Sequence, residues 1–161
     1  MRICAVSLLL SLCLPAANAA QWHVVPGDSL ANVIKGAAPG DEVLVERGVY
    51  FANLLIDKPL KLIGRNRPTI NGGNVGDVIR ITAPDVTVQG FIITDSGGDL
   101  ELQNSGVYVY PGAHRAVVRN NDISYSLFGV WIEKANDVHI ENNLITGKRD
   151  YPSSQRGNGV Q

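Results

Sequence analysis

Short apolar–polar–apolar triplets recur along this chain, and they can be set in columns. Leu60-Lys-Leu62, Val86-Thr-Val88, Ala116-Val-Val118 and Val138-His-Ile140 form one column. Gly64, Gly90, Asn120 and Asn142 follow them, and Ile93, Ile123 and Ile145 come next in the last three. A second column holds Ile79-Arg-Ile81, Val107-Tyr-Val109, Val130-Trp-Ile132 and Val160-Gln161, with Gly106, Gly129 and Gly159 ahead of the last three. Alternation with period two turns one set of side chains inward and the other outward. The clearest repeat sets Ala116–Ser124 against Val138–Thr146, 22 positions on, with the Asn-Asn pair and the Ile after it in common. An imperfect repeat of this length, built from short strands, signals a solenoid.

Equivalent positions in the second column are spaced unequally, by 28, 23 and 30 residues. Helical periodicity is missing from the columns. The pattern therefore predicts an all-β fold, a right-handed parallel β-helix whose insertions lie in loops between strands. A small β-sandwich is the weaker alternative, because its strands need not repeat in register. Asn120 and Asn142 are expected to stack their amides at an inner corner. Asp28 to Lys35 predicts a short helix with Asp28 as N-cap and Leu30, Val33 and Ile34 as its apolar face, capping one end of the solenoid. Because Val160-Gln161 reads as the start of a strand, the coils are expected to be incomplete at the C-terminal end. The division expected is 1–19 leader, 20–40 N-terminal segment and capping helix, and 41–161 β-helix coils.

Arg2, the apolar run from Ile3 to Leu14, and Ala17-Asn-Ala19 read as a cleavable secretory signal, too short for a stable membrane span. The mature chain is then expected to start near Ala20, in the periplasm, with no transmembrane span. Both cysteines (Cys4 and Cys13) and the only methionine, Met1, leave with the signal. Removing Arg2 leaves 13 basic residues against 15 acidic ones. No basic stripe is visible, so nucleic-acid binding has no electrostatic support.

Soft-metal carriers use Cys, Met and His, and only His23, His114 and His139 would remain. Coils stack at about 4.8 Å, which lets the turn holding His114 approach that before His139; these two are the candidate metal ligands, each otherwise a surface histidine. Outward carboxylates Asp122, Glu133 and Glu141 and the basic Arg119 are the candidates for catalysis. Arg119 and Glu141 occupy equivalent places in adjacent coils, so an ion pair accounts for them. No catalytic residue is assigned. The outward row Arg80, Tyr108 and Trp131, with Thr82, Tyr110 and Glu133 beside it, predicts an exposed aromatic strip suited to a partner. Two long loops, Asp95 to Ser105 and Gly147 to Asn158, should flank a notch over Tyr125. The second offers Lys148, Arg149 and Arg156 as further partner-binding residues.

Gly76-Asp-Val-Ile-Arg-Ile-Thr82, Asn120-Asn-Asp-Ile-Ser124, Phe128-Gly-Val-Trp-Ile-Glu133 and Lys148-Arg-Asp-Tyr-Pro-Ser-Ser-Gln-Arg156 resemble the NosD family of periplasmic accessory proteins. The resemblance implies a non-catalytic scaffold working with an ATP-binding-cassette transporter in assembly of the copper-sulfide centre of nitrous oxide reductase. Its implied partners are transporter subunits and the apo-reductase or a copper chaperone. It implies copper as a cofactor of the family, with no cofactor expected in this segment itself. A second reading, from fold analogy alone, is an exported protein that binds or modifies polysaccharides.

Overall fold

The computed structural model describes residues 19–161. The leader lies outside the described residues except for Ala19, and Cys4 and Cys13 lie outside them too. The first coil consists of β1 (Gln21–Val24) and α1 (Leu30–Gly36); the second of β2 (Glu42–Val45), β3 (Val49–Phe51) and β4 (Leu54–Ile56). The third holds β5 (Lys61–Gly64), β6 (Thr69–Asn71) and β7 (Ile79–Ile81); the fourth β8 (Thr87–Gln89), β9 (Ile92–Thr94) and β10 (Ser105–Val109). The fifth holds β11 (Val117–Arg119), β12 (Asp122–Ser126) and β13 (Phe128–Ile132). The sixth has β14 (His139–Glu141) and β15 (Leu144–Gly147), and Val160 bridges to Val130.

Every strand pair is parallel, and the strands stack into three sheets: β1-β2-β5-β8-β11-β14, β3-β6-β9-β12-β15, and β4-β7-β10-β13. The chain is thus a parallel β-solenoid. Inward ladders run Val43, Leu62, Val88, Val118 in the first sheet and Ile70, Ile93, Ile123 in the second. The third contributes Leu54, Ile79, Val107, Val130. All of these are buried. Burying such side chains is worth about 1.5–3 kcal/mol each, and it drives the stacking.

Helix α1 replaces two strands of the first coil and packs against β4. Leu30 and Ile34 point into the core, as the pattern predicted, with Val33 half-buried. The N-cap is Ser29, one residue after the expected Asp28. Ser29 Oγ accepts from Asn32 N at 3.3 Å, while Asp28 Oδ2 accepts from Val25 N and closes the preceding turn.

The amide ladder forms one residue later than expected. Asn120 and Asn142 take φ values of +56° and +52° and are exposed. Asparagine tolerates this left-handed region better than most residues, so the pair supplies the bend. The residue after each bend then points inward. Asn121 is 2 % exposed; its Oδ1 accepts from Phe91 N, and its Nδ2 donates to Val88 O and to Asn143 Oδ1. Asn143 Oδ1 also accepts from Asn121 N, and its Nδ2 donates to Val118 O. Two coils earlier the same corner is made of glycine. A Cβ on Gly64 would stand 2.6 Å from the Gly90 carbonyl oxygen, so neighbouring backbones touch there.

Candidate functional site

The outer face of the third sheet carries one row across four coils: Leu55, Arg80, Tyr108 and Trp131. Strand alternation aims all of these away from the core. The row is present as predicted, but it is not an open aromatic strip. Tyr108 is only 5 % exposed. Its ring centre lies 4.1 Å from that of Tyr110 and 6.3 Å from that of Trp131, and Phe128 meets Trp131 edge-on at 4.8 Å. Large neighbours on the same face cover it. Tyr108 donates to Glu133 Oε2 at 2.9 Å, and burial together with that carboxylate pushes its phenol well above the usual range. Arg80 stacks on Tyr110, 5.1 Å from the ring centre, and not on Tyr108 or Trp131.

Arg80 also pairs with a carboxylate that the sequence reading passed over. Asp77 accepts from Arg80 Nε and Nη2 at 3.2 and 3.0 Å and from Ser105 N at 3.0 Å. Its side chain is buried, and that burial pushes its carboxyl up despite these donors. Asp77 and Arg80 line a recess of about 280 Å³ with Asn53, Leu55 and Val75. A second recess, sharing Asn53 and Val75, continues it to Phe51. Phe51, Val75 and Leu55 are exposed apolar side chains along this furrow, Phe51 by 77 %. The signal for them was present but masked. Leu54-Leu55-Ile56 is apolar throughout, so the outward residue is not marked by polarity.

The two long loops do meet near Tyr125. A Cβ on Gly98 would lie 3.2 Å from the Tyr151 ring, so Tyr151 packs on the first loop. An open groove of about 410 Å³ is lined by Ser124, Tyr125, Thr146, Gly147, Arg149 and Asp150. Lys148 is not on that surface; it is 2 % exposed. Its Nζ donates to Asn74 Oδ1 at 3.0 Å and faces the rings of Tyr125 and Tyr151. Burial lowers its affinity for a proton, and Asp95 and Asp150 work against that. Arg156 braces its own loop by donating to the carbonyls of Tyr151 and Arg149.

The expected Arg119–Glu141 pair is not made. The two are register partners, yet Arg119 Nε donates to Gln89 Oε1 on the opposite neighbour, and Glu141 lies 3.5 Å from His139 Nδ1. Asp122 faces Arg67. His114 Nδ1 accepts the Asn136 backbone N–H at 3.0 Å, which occupies one of its two ring nitrogens. Among the described residues no group of three or more His, Cys, Asp or Glu is placed to hold a metal ion. His114 and His139 belong to no such group. No helix among the described residues is long and apolar enough to cross a membrane.

No protein-family model matches the chain, and no solved structure gives a significant match. Two curated relatives do. One, from Pseudomonas aeruginosa, is named "Probable ABC transporter binding protein NosD" and is 33 % identical over 113 residues, 70 % of this chain and 26 % of the relative. The other, from Stutzerimonas stutzeri, has the same name and is 34 % identical over 113 residues, again 70 % of this chain and 26 % of the relative. The chain is a homologue of these NosD proteins and spans about a quarter of their length.

Proposed function

We propose that this homologue of NosD acts as a non-catalytic periplasmic scaffold that docks an ATP-binding-cassette transporter during assembly of the copper-sulfide centre of nitrous oxide reductase. The observation that carries the reading is the likeness to two proteins named as transporter-binding. The docking face is the row Leu55, Arg80, Trp131, extended by Val75 and Phe51 along the furrow. Strands carry Leu55, Arg80, Trp131 and Phe51, and Val75 lies in the bend between β6 and β7. The mixture of exposed apolar groups, an aromatic ring and an arginine is the composition of protein-interface cores. The groove beside Tyr125 and Arg149 is a second contact on the same molecule. The reading places no copper on the described residues.

Deleting the gene, then restoring it whole, tests the proposal. The deletion strain should make a reductase lacking its copper-sulfide centre while other periplasmic enzymes are normal, and the purified protein should retain the transporter from solubilised membranes. A fully metallated reductase in the deletion strain would overturn it.

A further inference from the structure

Asp41 is 4 % exposed, and it lies between α1 and β2 with its side chain turned back to Ala20, where the chain enters the first coil. Three donors converge on it. Trp22 Nε1 and Ala38 N both reach Oδ2 at 2.8 Å, and Ala20 N reaches Oδ1 at 2.8 Å. Ala20 is held from its other side as well, since its carbonyl accepts from Glu42 N at 2.9 Å. The nitrogen of Ala20 is therefore fixed in place on a buried anion. It is also the nitrogen that the Ala17-Asn-Ala19 motif would free, because cleavage after Ala19 makes Ala20 the first residue.

We propose that Asp41 is the binding site for the α-ammonium of Ala20, created when a signal peptidase hydrolyses the Ala19–Ala20 bond. Water adds across that bond, its hydroxyl to the Ala19 carbonyl carbon and its hydrogen to the Ala20 nitrogen. The new amine takes a further proton from solvent at neutral pH. One neutral amide donor thereby becomes a cation with three donors, and its hydrogen bond to Oδ1 becomes an ion pair, charged on both sides and stronger. Trp22 and Ala38 keep Oδ2 occupied, so the pair forms without rearrangement. Trp22 and the segment leaving α1 are both tied to this carboxylate, so the end of the solenoid tightens on removal of the leader. In the precursor the same carboxylate meets only the uncharged amide N–H of Ala20.

The test uses the protein purified from the periplasm after its own export. Mass spectrometry should find Ala20 at the N terminus; a different first residue overturns the proposal. Competitive acetylation of the amines over a pH series, read at Ala20, should give an α-amine pKa about one unit or more above the usual value near 8. The Asp41→Asn protein should return it to the usual value. An ordinary value in the unaltered protein overturns the proposal. If Asp41→Asn does not fold, a form that retains Ala19 as its first residue serves in its place: its displaced amine should titrate normally, and a raised value there overturns the proposal.

Discussion

The ammonium of Lys148 lies 4.4 Å from the centre of the Tyr125 ring, with the Tyr151 ring at 5.5 Å on the same charge. Tyr125 in turn donates its hydroxyl to Asp150. A lysine from one loop is thus enclosed by an aromatic residue of the preceding coil, one of its own loop, and Asn74 three coils back. Each link spans a different length of chain, so the cluster ties the long loop down over the second sheet.

Lys148→Met should loosen that loop. The lost contacts are a charged hydrogen bond and cation–π attraction, and the replacement keeps the apolar stem, so stability should fall by about 1–3 kcal/mol in urea denaturation. Cleavage within 147–158 by a protease should be faster. The pH response should change too. Burial holds the folded-state pKa of Lys148 below its ordinary 10.5. Between those two values the unfolded chain binds more protons, so stability rises with pH there in the unaltered protein. The Met variant should lack that rise.

Substitution at the two asparagines of the corner should separate their roles. Asn121→Ala leaves the Phe91 N–H without a partner in a buried place and should cost about 1–3 kcal/mol. Asn120→Gly keeps the left-handed bend and should change stability by less than about 0.5 kcal/mol. Equilibrium unfolding of both variants checks this, and equal losses would refute the division.

Asp77 offers a pH signature of opposite sign. Burial raises its folded-state pKa above the ordinary 3.8, so the folded protein holds the proton longer than the unfolded chain does. Its favourable contribution is complete below 3.8 and is lost as pH rises through the raised value. The stability of the unaltered protein minus that of Asp77→Asn should therefore decline across this window, measured by unfolding midpoints at a series of pH values.

Trp131 and Arg80 are expected to carry much of the docking energy. The double variant Arg80→Ala with Trp131→Ala should weaken retention of the transporter by about thirty-fold or more, the effect of an interface hot spot. Its circular dichroism should match that of the unaltered protein, because both side chains point away from the core. Unchanged binding would move the docking surface elsewhere on the solenoid.

The columns read from alternation correspond to the sheets because inward positions must be apolar wherever neighbouring coils stack on them. Leu62, Val88 and Val118 made that visible, as did Ile79, Val107 and Val130. The first two coils were harder to read. Val43-Leu44-Val45 and Leu54-Leu55-Ile56 carry apolar residues on both faces, which hides the period. The remaining differences lie at bends and on surfaces. Asn121 and not Asn120 faces inward because a left-handed residue rotates the next side chain toward the core. Arg119 chose Gln89 over Glu141 because register puts both within reach of a long side chain and alternation does not rank them. Lys148 looked like a surface cation because nothing in the order of residues reveals that Asn74 and Tyr125 converge on it.

The contact between Gly64 and Gly90 acts as a spacer of fixed thickness. Backbone meets backbone there, with the Gly64 oxygen 2.5 Å from where a Cβ on Gly90 would stand. A Cβ on either glycine would press on the backbone of the neighbouring coil, so one of these two coils would have to shift. A single methyl group at this corner therefore disturbs the spacing of two coils, while a loop of ten extra residues between strands leaves that spacing untouched.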